Sequence, residues 1–203
     1  MDQYHPRLVQ DNTLITPPKT PEEGYHFSED ITDKAISYIF HEKAVYPEKP
    51  FFLYLAYGAM HAPHHAPKEY IEKYKGKFDS GWDEMRKEWF HRQNEIGIIP
   101  KNAELTPRNK LVKPWDSLSD QEKKRAARYM EAFAGMLEHT DAQIGRLIEY
   151  LRSIGELDNT VVVFLSDNGA SAEGGALGTF NNYGGQVDQD FVLEHLDEIG
   201  SPT

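Results

Sequence analysis

The fold is decided by a short apolar run, FFLYLAY, at residues 51–57. Pro47 and Pro50 precede this run, and a loop with further prolines follows it. A continuously apolar and aromatic stretch of this length is typical of a strand that is covered on both faces of a sheet. We therefore predict a central strand at 51–57.

A second run of the same kind, VVVFL, lies at residues 161–165. Between the two runs, apolar spacing predicts a long helix at about 119–154, with Ser119 and Glu122 as a capping box and Gly155 as the stop signal. A strand, a helix and a strand in this order imply a parallel sheet with a right-handed crossover. The loops after both strands should then meet at the carboxyl edge of the sheet, where α/β proteins collect ligands.

The predicted long helix carries an apolar face for packing on this sheet. Its members recur at helical spacing and are Ala126, Tyr129, Met130, Phe133, Met136, Leu137, Ile144, Leu147, Ile148 and Leu151. Charged residues elsewhere on the helix, such as Asp141, are expected on a solvated face.

Three further regions complete the order of elements. Residues 1–27 carry prolines and no sustained periodicity, which predicts an extended surface segment. Ser28 is the predicted N-cap of a helix at 28–42. Residues 68–118 predict a helical insertion that covers the sheet, with a short helix at 68–75 and a longer one after it.

The composition excludes several classes of protein. The 33 acidic and 22 basic residues give a formal charge of −11, which disfavours binding to nucleic acid. No apolar run approaches the roughly 20 residues that a membrane span needs, and the first residues, MDQYHPRLVQ, lack the pattern of a signal peptide. With no cysteine there is no disulfide, no thiolate metal site and no cysteine nucleophile. The compartment remains undetermined.

Two oxygen-bearing side chains, Asp167 and Asn168, follow the second predicted strand. A carboxylate and an amide carbonyl suit a hard cation such as Ca²⁺ or Mg²⁺, and the glycines that follow allow close approach of the backbone. The alternative is a plain strand-to-turn junction, because Asn and Gly tolerate left-handed backbone conformations.

His61 lies at the end of the first predicted strand, where an imidazole can contact an anionic substrate or protonate a leaving group. His64 and His65 follow it, and we interpret them as loop or cap residues. A zinc site built from the three is a weaker alternative, since their spacing does not match familiar zinc motifs.

Three stretches resemble, in order and spacing, those of an arylsulfatase. They are TPEEGYH at 20–26, PFFLYLAY at 50–57 together with HAPH at 61–64, and SDNGASAEGG at 166–175. The resemblance extends over nearly the whole chain. It identifies residues 1–203 as a partial catalytic domain of the sulfatase family, in the alkaline-phosphatase-like superfamily.

The resemblance implies an α/β fold with an alkaline-phosphatase-like, mostly parallel sheet flanked by helices, which would be incomplete in this chain. It also implies hydrolysis of sulfate esters, either small molecules or saccharides, with a bound divalent cation that is usually calcium. The nucleophile of the family is a formylglycine, made from a Cys or Ser in a Cys/Ser-x-Pro-x-Arg motif, whose hydrated form attacks sulfur.

Three residues match positions that carry chemistry in the family. Asp167 and Asn168 match its C-terminal pair of metal ligands, and Asp167 also lies where the hydroxyl of the nucleophile would be activated. His61 matches the histidine that contacts the sulfate and its leaving oxygen. The cation and the histidine would together neutralise charge on the sulfuryl group during transfer.

The sequence also departs from the family pattern. It holds no cysteine and no Ser-x-Pro-x-Arg motif, and Met60 replaces the proline that commonly precedes the family histidine. The upstream Asp-Asp ligands, the Lys-x-His after the nucleophile and the last catalytic lysine have no counterpart either. We therefore expect the centre of a longer enzyme, inactive alone. The alternatives are a non-catalytic remnant or weak divalent-metal-binding domain, and a phosphodiesterase or phosphonate hydrolase of the same superfamily.

Overall fold

The computed structural model describes residues 2–166, 168–169, 178–180 and 188–202. The helices are α1 (Phe27–Val45), α2 (Lys68–Glu72), α3 (Gly81–Glu95), α4 (Asp120–Ser153) and α5 (Gln189–Glu194), and the strands are β1 (Leu8–Gln10) and β2 (Thr13–Ile15). Single turns of 3-10 helix lie at Pro21–Glu23, Trp115–Ser117, Leu157–Asn159 and Leu196–Glu198. Over the described residues the protein is therefore mixed and helix-rich, with one small sheet of two strands.

Strands β1 and β2 form a hairpin inside the segment 1–27, where the sequence predicts an extended chain. The two strands are antiparallel, and Val9 lies opposite Leu14. The turn residues Asp11 and Asn12 both have positive φ, 49° and 64°. A type I′ turn requires this conformation at both central positions, and Asp and Asn are among the residues that tolerate it.

Helix α1 has His26 as its N-cap, so the prediction of Ser28 at this position was wrong. The Nδ1 atom of His26 accepts the backbone N–H of Ser28 at 3.2 Å, as a Ser or Asp oxygen would at other N-caps. Glu29 and Asp30 occupy the first turn, where their negative charge suits the helix dipole. Pro47 follows shortly after the last helical residue, Val45.

Helix α4 begins and ends close to where the sequence predicts. The Ser119 hydroxyl accepts the Glu122 N–H at 3.2 Å, and the Glu122 carboxylate accepts the Ser119 N–H at 2.8 Å, which confirms the capping box. The helix ends at Ser153, and Gly155 follows with a φ of 74°. Glycine is the residue that adopts this left-handed conformation most readily at a helix end.

The buried face of α4 differs from the predicted apolar face. Among the predicted positions only Met136 and Leu151 are buried, while Leu137 is 51% exposed and the others are half-buried. The face in contact with the rest of the protein is instead rich in polar side chains: Arg125, Arg128, Glu131, His139, Thr140 and Gln143. Helices α1 and α2 pack against α4. Among the described residues nothing buries the apolar face of α4 as a sheet would.

The hydrophobic core lies where α2 and the C-terminal stretch pack against α4. Its buried members are Ala66, Ile71, Ala132, Met136, Phe180, Val192 and Ile199. Gly135 makes the close approach of α2 to α4 possible, because a Cβ at this position would lie 2.9 Å from the backbone Cα and N atoms of Ile71. No side chain fits at that distance.

A buried arginine ties the same three elements together. Arg128 on α4 donates to Glu131 at 2.9 Å, to Glu72 of α2 at 3.2 Å and to the Leu196 carbonyl at 3.1 Å. Glu131 also accepts the backbone N–H of Gly76 at 2.7 Å. Because the guanidinium and the carboxylates satisfy each other, their burial avoids the cost of an unpaired charge.

The two runs predicted as strands, 51–57 and 161–165, are not part of a sheet in the described residues. A strand needs a neighbour to accept and donate its backbone hydrogen bonds, and the described part of the chain supplies neither run with one. Alternate residues of 51–57 are half-buried and Phe52 is 91% exposed, whereas every residue of 161–165 is exposed. The Tyr57 hydroxyl forms a hydrogen bond of 2.9 Å with the Thr32 hydroxyl on α1.

The predicted helical insertion, 68–118, contains α2 and α3. Trp115 packs edge-to-face on Trp82 of α3, with ring centroids 4.9 Å apart, and its backbone N–H donates to Asp83 at 2.9 Å. That this region covers a sheet stays a prediction. No helix in the described ranges has the combination of length and apolar character that crossing a bilayer requires.

Candidate active site

His61 lies on the surface in the turn that follows residues 51–58. Its backbone N–H donates to the Gly58 carbonyl at 3.0 Å, and its Nδ1 atom lies 2.6 Å from the Ala62 carbonyl oxygen. Because a carbonyl oxygen only accepts, Nδ1 carries the proton and Nε2 is the basic nitrogen of the neutral ring. The ring is thus oriented by its own loop.

The loop after His61 is fixed to the core at three points. His64 packs edge-to-face on Phe133 of α4, with ring centroids 5.2 Å apart. His65 is 2% exposed, and the Ala66 N–H donates to the Gly200 carbonyl at 3.1 Å. His61 is therefore an exposed side chain on a loop whose following residues are buried.

The second pair of predicted site residues follows the exposed segment 161–166. Asn168 is exposed, and its amide nitrogen donates to the Gly169 carbonyl at 2.7 Å, while Ser166 donates to the Asn168 carbonyl at 2.6 Å. Asp167 lies outside the described residues. The grouping of His61 with Asp167 and Asn168 in one site stays a prediction.

Among the described residues, which exclude Asp167, no three His, Asp or Glu side chains are grouped so that they could hold a metal ion. His61, His64 and His65 do not form such a group, because one is exposed, one packs on Phe133 and one is buried. The zinc alternative therefore finds no support.

Buried histidines lie beside the His61 loop, and the sequence did not reveal their arrangement. His26 and His65 are each 2% exposed, and the Nε2 atom of His26 lies 3.3 Å from the His65 carbonyl oxygen. The Nδ1 atom of His65 accepts the Gln3 N–H at 3.3 Å and lies 3.5 Å from the Asp2 carboxylate. The N-terminal segment, α1 and the loop thus meet at these two rings.

A third buried imidazole, His139 of α4, completes the cluster. Its ring lies edge-to-face on His26, with centroids 4.4 Å apart, and its Nε2 atom lies 3.0 Å from the Glu29 carboxylate. Since Glu29 accepts, Nε2 carries the proton. The Nδ1 atom is buried and has no hydrogen-bond partner among the described residues.

The cluster changes the acidity of its members. Burial lowers the pKa of His26 from 6.5 to about 3, and the neighbouring His139 acts in the same direction. The hydrogen bond from His139 holds the pKa of Glu29 below its usual value. Burial also lowers the pKa of His64, to about 4. His26 and His64 are therefore neutral in the folded protein at neutral pH.

One signal in the sequence indicates the position of His139. Ala132, Met136, His139 and Gln143 recur at three- and four-residue spacing on α4, and all four are buried. A histidine in register with buried apolar residues favours a core position. No comparable pattern marks His26 or His65, which lie outside the helices.

The comparison with known proteins supplies the family. The family model for Sulfatase matches residues 2–195 of this chain. The chain belongs to the sulfatase family. The matched range includes the three candidate site residues, His61, Asp167 and Asn168.

Relatives of this sulfatase chain occur in fungi and bacteria. It is 49% identical over 121 residues to an uncharacterized sulfatase of Schizosaccharomyces pombe, which covers 59% of this chain and 22% of the relative. It is 34% identical over 171 residues to an arylsulfatase of Klebsiella aerogenes, covering 84% of this chain and 35% of the relative. With an arylsulfatase of Clostridium perfringens it shares 28% identity over 159 residues, 78% of this chain and 29% of the relative. The sulfatase chain thus spans between about a fifth and a third of these curated relatives.

Proposed function

We propose that this chain contributes the sulfate-contacting histidine and two metal ligands to the active site of a sulfuric-ester hydrolase. The residues are His61, Asp167 and Asn168. The observation that carries the proposal is the match to the sulfatase family, which runs through all three residues. The substrate class that follows is a sulfate ester of a small molecule or a saccharide.

His61 has the exposure and the orientation that this role needs. With the Nδ1 proton directed at the Ala62 carbonyl, the Nε2 atom is the one that exchanges a proton or, when protonated, donates to a sulfate oxygen. An exposed imidazole on an anchored loop can meet an anionic group without a large loss of side-chain freedom on binding. His61 would therefore contact the substrate and its leaving oxygen.

Asp167 and Asn168 offer the oxygen ligands that a hard divalent cation prefers. The amide nitrogen of Asn168 donates to the Gly169 carbonyl, so its amide oxygen would be the coordinating atom. The donor types fit Ca²⁺, the cation usual in this family. A bound cation would supply positive charge next to the sulfate group.

The nucleophile of the family does not fit any residue of this sequence. The 203 residues include no cysteine and no Ser-x-Pro-x-Arg motif from which formylglycine could form. We therefore propose that the 203-residue chain alone is inactive, and we assign it no nucleophilic step. The fragment of an active site that it carries would bind rather than cleave.

We also propose that the two exposed apolar runs belong to the mostly parallel sheet of the alkaline-phosphatase-like fold. Phe52 and Phe164 are 91% and 82% exposed, and the apolar face of α4 is only partly covered. Apolar surface of this extent is expected to be buried by other elements. Packing of a sheet made from 51–57 and 161–165 on α4 would bury it.

The binding role of His61 can be tested by NMR on the purified chain. Titration with 4-nitrophenyl sulfate in the presence of Ca²⁺ should shift the imidazole resonances of His61 saturably and leave exposed His41 on α1 unchanged. His61→Gln should abolish the response, and Asp167→Ala should weaken it. A response that is equal at His41, or absent at every histidine, would favour a non-catalytic remnant.

Two further measurements distinguish a sulfatase from related hydrolases and test whether the chain is inactive. A stronger response to 4-nitrophenyl phosphate or to a phosphonate ester than to the sulfate would favour a related phospho- or phosphonate hydrolase. Hydrolysis of any of these esters by the purified chain, abolished by Asp167→Ala, would show that our proposal of inactivity is wrong.

A further inference from the structure

The loop that carries His61 is held on helix α1 by two buried histidines. His65, four residues after His61, offers its backbone carbonyl to the Nε2 atom of His26 at 3.3 Å. Both residues are 2% exposed. His26 is in turn the N-cap of α1, because its Nδ1 atom accepts the Ser28 N–H at 3.2 Å. One ring therefore links the start of a helix to the loop.

Only the neutral imidazole can make both contacts. It must accept at Nδ1 and donate at Nε2, and protonation converts Nδ1 into a second donor that faces the Ser28 N–H. We propose that His26 is a positioning residue that holds the His61 loop in place, and that its protonation releases the loop. The proposal rests on the proposed role of His61 only for its link to catalysis.

Several features oppose a charge at His26. The ring is buried, and it lies at the N-terminal end of α1, where the helix dipole disfavours a cation. The groups that face it or its contacts are His139 on α4, His65 in the loop, Asp2 and Tyr4 in the N-terminal segment, Tyr70 on α2, and Glu29 on α1 itself. Of these, the Glu29 charge favours the protonated ring, while His139 and His65 oppose it.

The release should therefore depend on pH with a defined sign. The pKa of His26 is about 3 in the folded chain and 6.5 when the ring is free in solution. Between pH 3 and pH 6.5, opening of the loop is then accompanied by the uptake of one proton at His26. The equilibrium constant for opening therefore rises about tenfold per pH unit as the pH falls below 6.5. Above pH 6.5 the loop should show no such dependence on His26.

Hydrogen exchange of the purified chain tests this directly. The amides of His61, His65 and Ala66 are hydrogen-bonded within or from the loop. After correction for intrinsic exchange, their protection should fall as the pH is lowered from 7 to 5. In His26→Gln the side chain can still make both hydrogen bonds, but it has no group that titrates. The slope of loop protection against pH should therefore decrease by about one power of ten per pH unit. His41→Gln, an exposed histidine on the same helix, should leave the slope unchanged.

Two more variants distinguish an anchor at His26 from titration of His64 and from unfolding of the whole chain. His64 lies in the same loop and also has a lowered pKa. His64→Gln should remove the contribution of His64 to the pH dependence of loop protection and leave the contribution of His26 unchanged. His26→Ala, which loses the anchor at every pH, should lower loop protection at pH 7.5, while central α4 amides stay protected. An unchanged slope in His26→Gln, or equal loss of protection along α4, would overturn a local anchor at His26.

The outcome for His26 is independent of the proposed function. Exchange of the loop amides does not require that His61 binds sulfate. If His61 fails to respond to sulfate esters but the slope depends on His26, the anchor is correct and the assignment of His61 is wrong. If His61 responds and the slope does not depend on His26, the reverse holds.

Discussion

His139 on α4 and Glu29 on α1 are joined by a contact of 3.0 Å between the imidazole Nε2 atom and the carboxylate. The two residues are 110 positions apart in sequence, and His139 is fully buried whereas Glu29 is partly exposed. The contact connects the first turn of α1 to the middle of α4. It also gives the buried N–H of His139 an acceptor, next to the Gln143 amide nitrogen at 3.3 Å.

Removal of this acceptor should destabilise the fold. In Glu29→Ala the N–H of His139 loses its carboxylate acceptor, and we expect a loss of about 1–3 kcal/mol in the free energy of unfolding. Glu29→Gln keeps an acceptor and should cost less. Glu84→Ala is a matched control, because Glu84 also lies in a first turn but pairs with exposed Lys87. Urea denaturation measures all three, and equal losses for Glu29→Ala and Glu84→Ala would contradict the expectation.

Replacing two glycines of α4 with alanine should change the stability of the chain in opposite directions. At Gly135 a Cβ would lie 2.9 Å from the backbone of Ile71, and we expect Gly135→Ala to destabilise the chain by about 1–3 kcal/mol. At Gly145 a Cβ would meet nothing within 4 Å, so Gly145→Ala should stabilise the helix by about 0.5–1 kcal/mol. Thermal denaturation of the two variants provides the test. A rise in melting temperature for Gly135→Ala would show that α2 does not pack so closely on α4.

The exposed apolar runs should make the purified chain bind a hydrophobic dye or self-associate. Phe52 and Phe164 are strongly exposed and lie in apolar segments whose backbone pairs with no strand among the described residues. Uncharged segments of this kind promote association of strand edges. Phe52→Lys with Phe164→Lys should reduce dye binding and the apparent mass in solution. Phe40→Lys, at an exposed site on α1, should have little effect. A monomeric chain that binds no dye would contradict the assignment of these runs to a sheet.

Calcium should stabilise the purified chain only slightly. Asp167 and Asn168 are two ligands, and Ca²⁺ prefers about six to eight oxygen atoms. Because stabilisation by a ligand follows its affinity, we expect millimolar Ca²⁺ to leave the melting temperature nearly unchanged. A rise of several degrees that Asp167→Asn removes, and that Asp141→Asn on the exposed face of α4 does not, would mean that further ligands complete the site.

The helices could be predicted from the sequence because their signals are local. Ser119 and Glu122 are three residues apart, and the left-handed position of Gly155 directly follows the end of α4. The N-cap of α1 was missed because an imidazole nitrogen replaces the usual hydroxyl or carboxylate. A cap of this kind is visible only once the ring position is known.

The features that the sequence could not predict depend on partners that are distant in sequence. The composition of 51–57 and 161–165 predicts strands, but it contains no information on which backbone pairs with them. The burial of polar residues on α4 could not be predicted, because their partners lie on other elements, as Glu72 and the Leu196 carbonyl do for Arg128. Only the folded chain reveals such partners. For the candidate site, His61 is exposed, and the roles of His61, Asp167 and Asn168 stay predictions.

The contact between Ala66 and Gly200 bears on how the protein folds. Gly200 has a φ of 87°, and a Cβ there would lie 2.5 Å from the Ile71 side chain and 2.9 Å from the His64 carbonyl. A contact between residues so far apart in sequence closes a long loop. The entropy cost of closing this loop delays formation of the contact until after the helices have formed. A substitution at Gly200 should then act mainly on the rate of unfolding. We therefore expect this crowded glycine to affect how long residues 196–202 stay docked, rather than how quickly the helices assemble.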